Sequence, residues 1–248
     1  MAEIICIASG KGGTGKTSLS AGLSCSLAKM GHSVLVVDMD IGLRNLDLVL
    51  GITEHALFDF TDVLLSRATL KEAATPHPEI EGLFFLAAPL GIPEDEITTE
   101  AFLTFAAEAK ETYDFCILDC PAGIGDGFRQ AACAADRAIV VATPDQTSLR
   151  DAQMTRFALM EQGVEDVQLV VNRISRGVHA MPIDEIIDRT GIRFLGAVPE
   201  DRTVIAAANR GELVIAKPRS AAAKAYQNIA QRVLGVGVPL LRRVRSIR

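Results

Sequence analysis

The chain has 248 residues, 49% of them hydrophobic and 23% charged, with a formal net charge of −6. That is enough apolar material for one well-buried α/β domain and too little length for two comfortable ones. No run of about 18 apolar residues is present to span a bilayer. The amino terminus passes within a few residues into the apolar run 4–8, without the basic region, apolar stretch and cleavage site of a secretory signal. An integral membrane protein is excluded on this composition, and a cytoplasmic location is expected.

Short β-branched runs alternate with stretches of helical period along the chain, the pattern of a mostly parallel, twisted sheet with helices on both faces. The first strand is expected at 4–8. It runs into Gly10-Lys11-Gly12-Gly13-Thr14-Gly15-Lys16-Thr17, followed from Ser18 to Met30 by a helical stretch. Strand, glycine-rich loop and helix in this order form a P-loop. The glycines permit turns closed to other residues, so that successive N–H groups converge on phosphate oxygens at the positive end of a helix. Lys16 is placed to reach the β and γ phosphates, the Thr17 hydroxyl to ligate Mg²⁺, and Ser18 to line the nucleotide. ATP and Mg²⁺ are therefore the expected ligands.

The second strand, 34–38, ends in Asp38-Met39-Asp40. After a third at 83–87, the fourth, 115–119, ends in Asp119. Open α/β sheets bind ligands at the carboxyl ends of their strands. Asp119 is accordingly the Walker B candidate for Mg²⁺, Asp38 a second acid at the metal, and Asp40 a group to orient or deprotonate water. Aspartates at strand ends also start turns and cap helices, and the P-loop is what tips the reading toward function. Further strands are expected at 138–142, 168–172 and 194–198. A helix is expected at 220–234, where Tyr226, Ile229, Ala230, Val233 and Leu234 share a face and Gly235 follows as a stop.

The five cysteines are odd in number and mostly lie in apolar segments, as buried thiols of a reducing compartment do. Cys116 and Cys120 do not have CxxC spacing, and His32, His55, His77 and His179 stand apart. None of these is expected to hold a metal. The ATPase domain is drawn at 1–235, with a short linker and basic tail at 236–248. The tail carries four arginines, no acid, and neither Phe nor Trp. As a helix it would set Leu240, Leu241, Val244 and Ile247 on one side with arginines around them, the pattern of a helix lying on an anionic membrane. Each arginine near such a surface contributes about 1 kcal/mol, so two tails joined in a dimer would bind far better than one.

Lys11, directly after the first glycine, is similar to the signature lysine of the deviant Walker A ATPases, the MinD/ParA family. Residues 38–47, Asp38-Met39-Asp40-Ile41-Gly42-Leu43-Arg44-Asn45-Leu46-Asp47, resemble the switch I stretch of the family's septum-site-determining group. Asp119-Cys120-Pro121-Ala122-Gly123-Ile124 resembles its Walker B and switch II. The likeness continues through Asn172-Arg173 and Pro199-Glu200-Asp201, which match base-binding positions, to Gly211-Glu212-Leu213-Val214-Ile215.

The resemblance implies an ATP-dependent homodimer in which Lys11 of each subunit reaches the phosphates of the other. The arginine that plays this part in other P-loop systems accelerates hydrolysis by about 10³ to 10⁵. A lysine lacks the bidentate fork, so less acceleration is expected. Asp40 would then assist water attack, and the Gly123 N–H would sense the γ-phosphate. Also implied are peripheral attachment to the inner membrane face, recruitment of a MinC-like septation inhibitor, and a hydrolysis-stimulating regulator, MinE-like or other. The contact region would include Arg44, Asn45 and the helix around Arg150 and Asp151. Two alternatives are a DNA-partitioning or flagellar-placement ATPase and a small-molecule enzyme or iron–sulfur carrier on the same fold. Overall acidity disfavours DNA, and the absence of CxxC disfavours the carrier.

Overall fold

All seven expected strands are present in the computed structural model, which describes residues 2–52, 56–91, 97–175 and 181–241. They are β1 (Glu3–Ala8), β2 (Val34–Asp38), β4 (Leu83–Leu86), β5 (Phe115–Asp119), β6 (Arg137–Ala142), β7 (Asp166–Ile174) and β8 (Arg193–Pro199). An unexpected two-residue strand, β3 (Thr75–Pro76), completes the sheet. The order is β3-β4-β2-β5-β1-β6-β7-β8, all parallel except β3, which pairs antiparallel with β4. A proline lacks the N–H that a central ladder needs, and Pro76 accordingly sits on the edge.

Alternation along each strand feeds two separate cores. Ile4, Cys6 and Ala8 of β1 with Leu35 and Val37 of β2 enter one; Ile5, Ile7, Val34 and Val36 enter the other. The first core is closed by α3 (Phe60–Leu64), α4 (Leu70–Ala73), α5 (Thr99–Thr112), α6 (Asp126–Ala134), α7 (Gln146–Glu161) and α8 (Ile183–Thr190). The second is closed by α1 (Lys16–Lys29), α2 (Leu46–Leu50), α9 (Arg202–Ala208) and α10 (Ala221–Val233). Helices α1 and α10 pack so closely that a Cβ on Gly22 would overlap the Tyr226 ring.

The helix expected from Ser18 begins two residues earlier, at Lys16, so the last two P-loop residues already belong to its first turn. The stretch read as a linker after Gly235 is held down at its start. From α10, the Arg232 guanidinium donates through Nη1 to Leu195 O on β8 at 3.1 Å, and through Nε and Nη2 to Val238 O at 3.1 and 2.8 Å. Leu240 and Leu241, expected on the membrane side of a tail helix, instead lie outside any helix and pack against the core, where their apolar surface is partly covered. The rest of the proposed tail, 242–248, lies outside the described residues. Among the described residues no helix is long and apolar enough to cross a membrane.

Candidate functional site

The topology makes β1 the neighbour of β5, and β5 the neighbour of β2. Their carboxyl ends therefore form one rim, with Asp38 in register with Asp119 and Asp119 level with Ile7. Residues 9–15 leave β1 at this rim. Gly13 and Gly15 have φ of +77° and +94°, a left-handed backbone that glycine adopts without a Cβ penalty. Gly15 is also the N-cap of α1 and has no side chain to satisfy the first-turn N–H groups, which stay available to an anion. A Cβ on Gly12 or Gly13 would meet nothing within 4 Å, so the loop faces open space there. Gly10 has no such room: its Cβ would come within 2.6 Å of Asp151 Cβ in α7.

Lys16 is 8% exposed. Its Nζ donates to Ser9 Oγ at 2.9 Å, and Ser9 Oγ donates to Lys11 O at 2.7 Å. The Gly123 N–H donates to Ser9 O at 3.0 Å. Ser9, which no motif singles out, thus ties the P-loop lysine to both the loop and switch II. Asn172 braces the loop from β7, its Nδ2 donating to Thr14 O at 2.7 Å and its Oδ1 accepting from Arg173 N at 2.9 Å.

Asp38 and Asp119 are 1% and 2% exposed. Burial drives the Asp119 carboxyl up to about 7, with the charge of Asp38 adding to the rise and the Ser20 and Thr17 hydroxyls and Lys16 opposing it. Burial likewise raises Asp38 to about 6, against hydrogen bonds from the Leu46 and Asp40 N–H groups. Asp40, half-buried, is also raised by burial and drawn down by Lys16. Lys16 bears on Asp40 and Asp119 but is not among the groups that act on Asp38, which leaves room for a cation. The donors offered are hard oxygens, as Mg²⁺ requires. Among the described residues no three acidic, His or Cys side chains converge to hold a metal unaided. Mg²⁺ does not need them where phosphates and waters fill its shell. Thr17 with Asp119 and Asp38 would hold it.

Lys11 leans away from this rim. Its Nζ bonds Asp145 Oδ1 at 3.0 Å and Thr147 Oγ1 at 3.2 Å. Asp145 is the N-cap of α7, accepting from Ser148 N at 2.9 Å. Burial opposes ionisation of Asp145, yet the hydroxyls of Thr143 and Thr147, the Ser148 N–H and Lys11 hold it well below the usual carboxylate range. Of the expected partner contacts, Asn45 and Arg150 are exposed. Arg44 folds back onto Asp47 at 2.9 Å with φ of +43°.

Beside the loop lies a cleft of about 170 Å³ lined by Gly15, Ser18, Asn172, Arg173, Pro199, Glu200 and Asp201, among others. It gathers Ser18 and every residue assigned to the base. The Asp201 carboxylate is already committed there: it accepts from Thr203 N at 2.9 Å, Ser220 Oγ at 2.8 Å and Ala222 N at 3.1 Å, capping α9 and steadying the start of α10.

Residues 5–214 match the CobQ/CobB/MinD/ParA nucleotide-binding domain family. The chain is 41% identical over 247 residues to the septum site-determining protein MinD of Bacillus subtilis, covering 97% of this chain and 92% of that one. It is also similar to MinD in the MinC:MinD cell division complex of Aquifex aeolicus, with a TM-score of 0.90, 34% identity and coverage of 98% and 100%. The septum site-determining protein MinD of Pyrococcus horikoshii, complexed with Mg-ADP, aligns with a TM-score of 0.84 and 31% identity over 94% of this chain and 96% of that one.

Proposed function

The chain belongs to the CobQ/CobB/MinD/ParA nucleotide-binding family, in company with the MinD septum-site proteins, and from that premise we propose that it is a Mg²⁺-dependent ATPase switch for division-site placement. The observation that carries the proposal is the rim itself. An open glycine loop and a buried lysine face two buried, mutually repelling carboxylates, an arrangement costly to maintain unless a polyphosphate and a cation complete it. The Mg-ADP found on the Pyrococcus relative supports the same ligands here.

In this reading the loop N–H groups and Lys16 bind and orient the phosphates. Thr17, Asp119 and Asp38 would hold Mg²⁺, which would supply neutralisation of the charge developing on the transferred group. Asp40 positions the attacking water. Burial raises its half-buried carboxyl, and Lys16 opposes that rise. Lys11, 35% exposed in its pairing with Asp145, is loosely held: exposed ion pairs contribute only about 0–1 kcal/mol. It is free to exchange Asp145 for the phosphates of a second copy, which makes ATP the glue of a homodimer. The Gly123 N–H exchanges Ser9 O for the γ-phosphate, so that loss of that phosphate releases switch II and the dimer.

The proposed dimer attaches to the inner membrane face through residues 236–248 and recruits a MinC-like inhibitor, in keeping with the MinC:MinD complex among the similar structures. A MinE-like or other regulator stimulates hydrolysis. The test is to incubate the purified chain, and Asp40→Ala, with Mg·ATP or Mg·ADP and measure mass by light scattering. Cosedimentation with anionic liposomes and binding to plain duplex DNA are measured in parallel. The expected result is an ATP-only dimer, longer-lived in Asp40→Ala, that sediments with liposomes and ignores DNA. A chain that stays monomeric with Mg·ATP overturns the switch, and ATP-dependent binding to DNA alone overturns the membrane assignment.

A further inference from the structure

One buried hydroxyl at the rim lies outside every motif. Ser20, fully buried in α1, stands three residues after Thr17 and so on the same helix face. Its Oγ lies 2.8 Å from Asp119 Oδ1 and 3.1 Å from Lys16 O. A hydroxyl has one proton to give, and the shorter contact to an ionisable carboxylate is the stronger bond.

The donor that the structure places on Asp119 Oδ1 is therefore the Ser20 hydroxyl, one turn beyond the Thr17 hydroxyl whose oxygen lone pairs would take a metal. We infer that Ser20 is the positioning residue for the metal-side carboxylate. It fixes Asp119 Oδ1, so that the carboxylate would keep its orientation as Mg²⁺ binds, with its other oxygen left to act on the metal. This rests on the assignment of Asp119 to Mg²⁺ and adds to it a donor that the loop motif does not include. Partners of this kind, one step removed from the ion, typically control 10- to 100-fold in metal affinity. An effect of about tenfold is expected where the carboxylate acts through water.

The test separates metal binding from nucleotide binding and from turnover. Fluorescent N-methylanthraniloyl-ATP is bound to wild type, Ser20→Ala and Ser20→Thr, first in EDTA and then along a Mg²⁺ titration. Mn²⁺ binding to the nucleotide complex is followed by electron paramagnetic resonance. Alanine removes one oxygen from a helix interior and favours the helix, so a thermal melt near that of wild type is expected.

The inference predicts unchanged affinity in EDTA for Ser20→Ala, a Mg²⁺ midpoint raised about tenfold with a parallel loss of Mn²⁺ signal, and restoration of both by Ser20→Thr. A midpoint within about twofold of wild type overturns it. Equal weakening with and without metal also overturns it, because Ser20 would then merely support the loop. If wild type itself shows no metal dependence, the assignment of Asp119 falls and this inference falls with it, an outcome distinct from the other two.

Discussion

The two rims of the sheet treat their acidic side chains in opposite ways. Where the strands begin, acids have cations beside them: Arg137 Nε at the head of β6 lies 3.0 Å from Glu3 Oε1 and 2.9 Å from Asp166 Oδ2. Asp136 has Lys110 at 2.6 Å. Where the strands end, Asp38 and Asp119 stand in register on neighbouring strands, and Lys16, the nearby cation, bonds a serine rather than either carboxylate. At the first rim each of these three acids has one of two cations of the chain within 3.0 Å. The second retains acids that burial pushes toward neutrality, and in the proposed function a bound cation supplies the balance. Asp145, past the end of β6, does have Lys11 beside it, so it is the buried pair Asp38 and Asp119 that sets the proposed functional rim apart.

The largest expected effect strikes the unbalanced rim. Lys16→Ala removes a buried ammonium from the phosphate position and should weaken ATP binding about 30-fold or more, since truncating one member of a buried charge pair costs roughly 2–5 kcal/mol. Calorimetry that still reports wild-type affinity would erase the contrast between the rims at its strongest point.

Next in size is Asp119→Asn, which should raise the Mg²⁺ midpoint of binding by about tenfold or more while making the ligand-free protein more stable. The sign follows from linkage. Asp119 is raised when folded to about 7, so the folded state binds a proton that the unfolded state has lost. The penalty is fully present above pH 7 and fades as pH falls toward the unfolded carboxylate value. Urea unfolding at pH 8 should show a gain of roughly 2–4 kcal/mol for the amide, shrinking at pH 5. A gain independent of pH would mean that the carboxylate charge is not what burdens this rim.

How much of this was legible beforehand depends on whether a residue's partner lies nearby in sequence. The strands are legible because they are buried on both faces and read as unbroken apolar runs. Asp38 and Asp119 are legible because the strand-end rule needs no partner. The same rule extends to Asp145, three residues past β6, yet its hold on Lys11 spans 134 positions and leaves no local trace. Ser9 and Ser20 share that difficulty: small hydroxyls in apolar segments look like any others until Lys16 and Asp119 arrive from the fold. Asp201 is legible as part of the cleft, but its capping of α9 and its bond to Ser220, 19 residues on, are not. The two-residue β3 is too short for any periodicity.

The smallest expected effect belongs to the balanced rim and tests whether the rims are independent. Arg137→Met keeps much of the apolar stem but removes the cation between Glu3 and Asp166, along with a bond from Nη1 to Val233 O at 3.2 Å. Burial already raises the Glu3 carboxyl, with Arg137 drawing it down, so losing Arg137 raises it further. An acid raised by folding costs stability above its folded pKa and stops costing it once the unfolded chain is protonated too. Destabilisation of about 1 kcal/mol is therefore expected at pH 7, since these side chains are partly exposed and screened, and less at pH 4. Affinity for Mg·ATP should stay within about twofold of wild type, because the missing cation served a balance closed on itself at the far end of the strands. If ATP affinity fell in step with stability, the charge at one rim would be holding the other in shape.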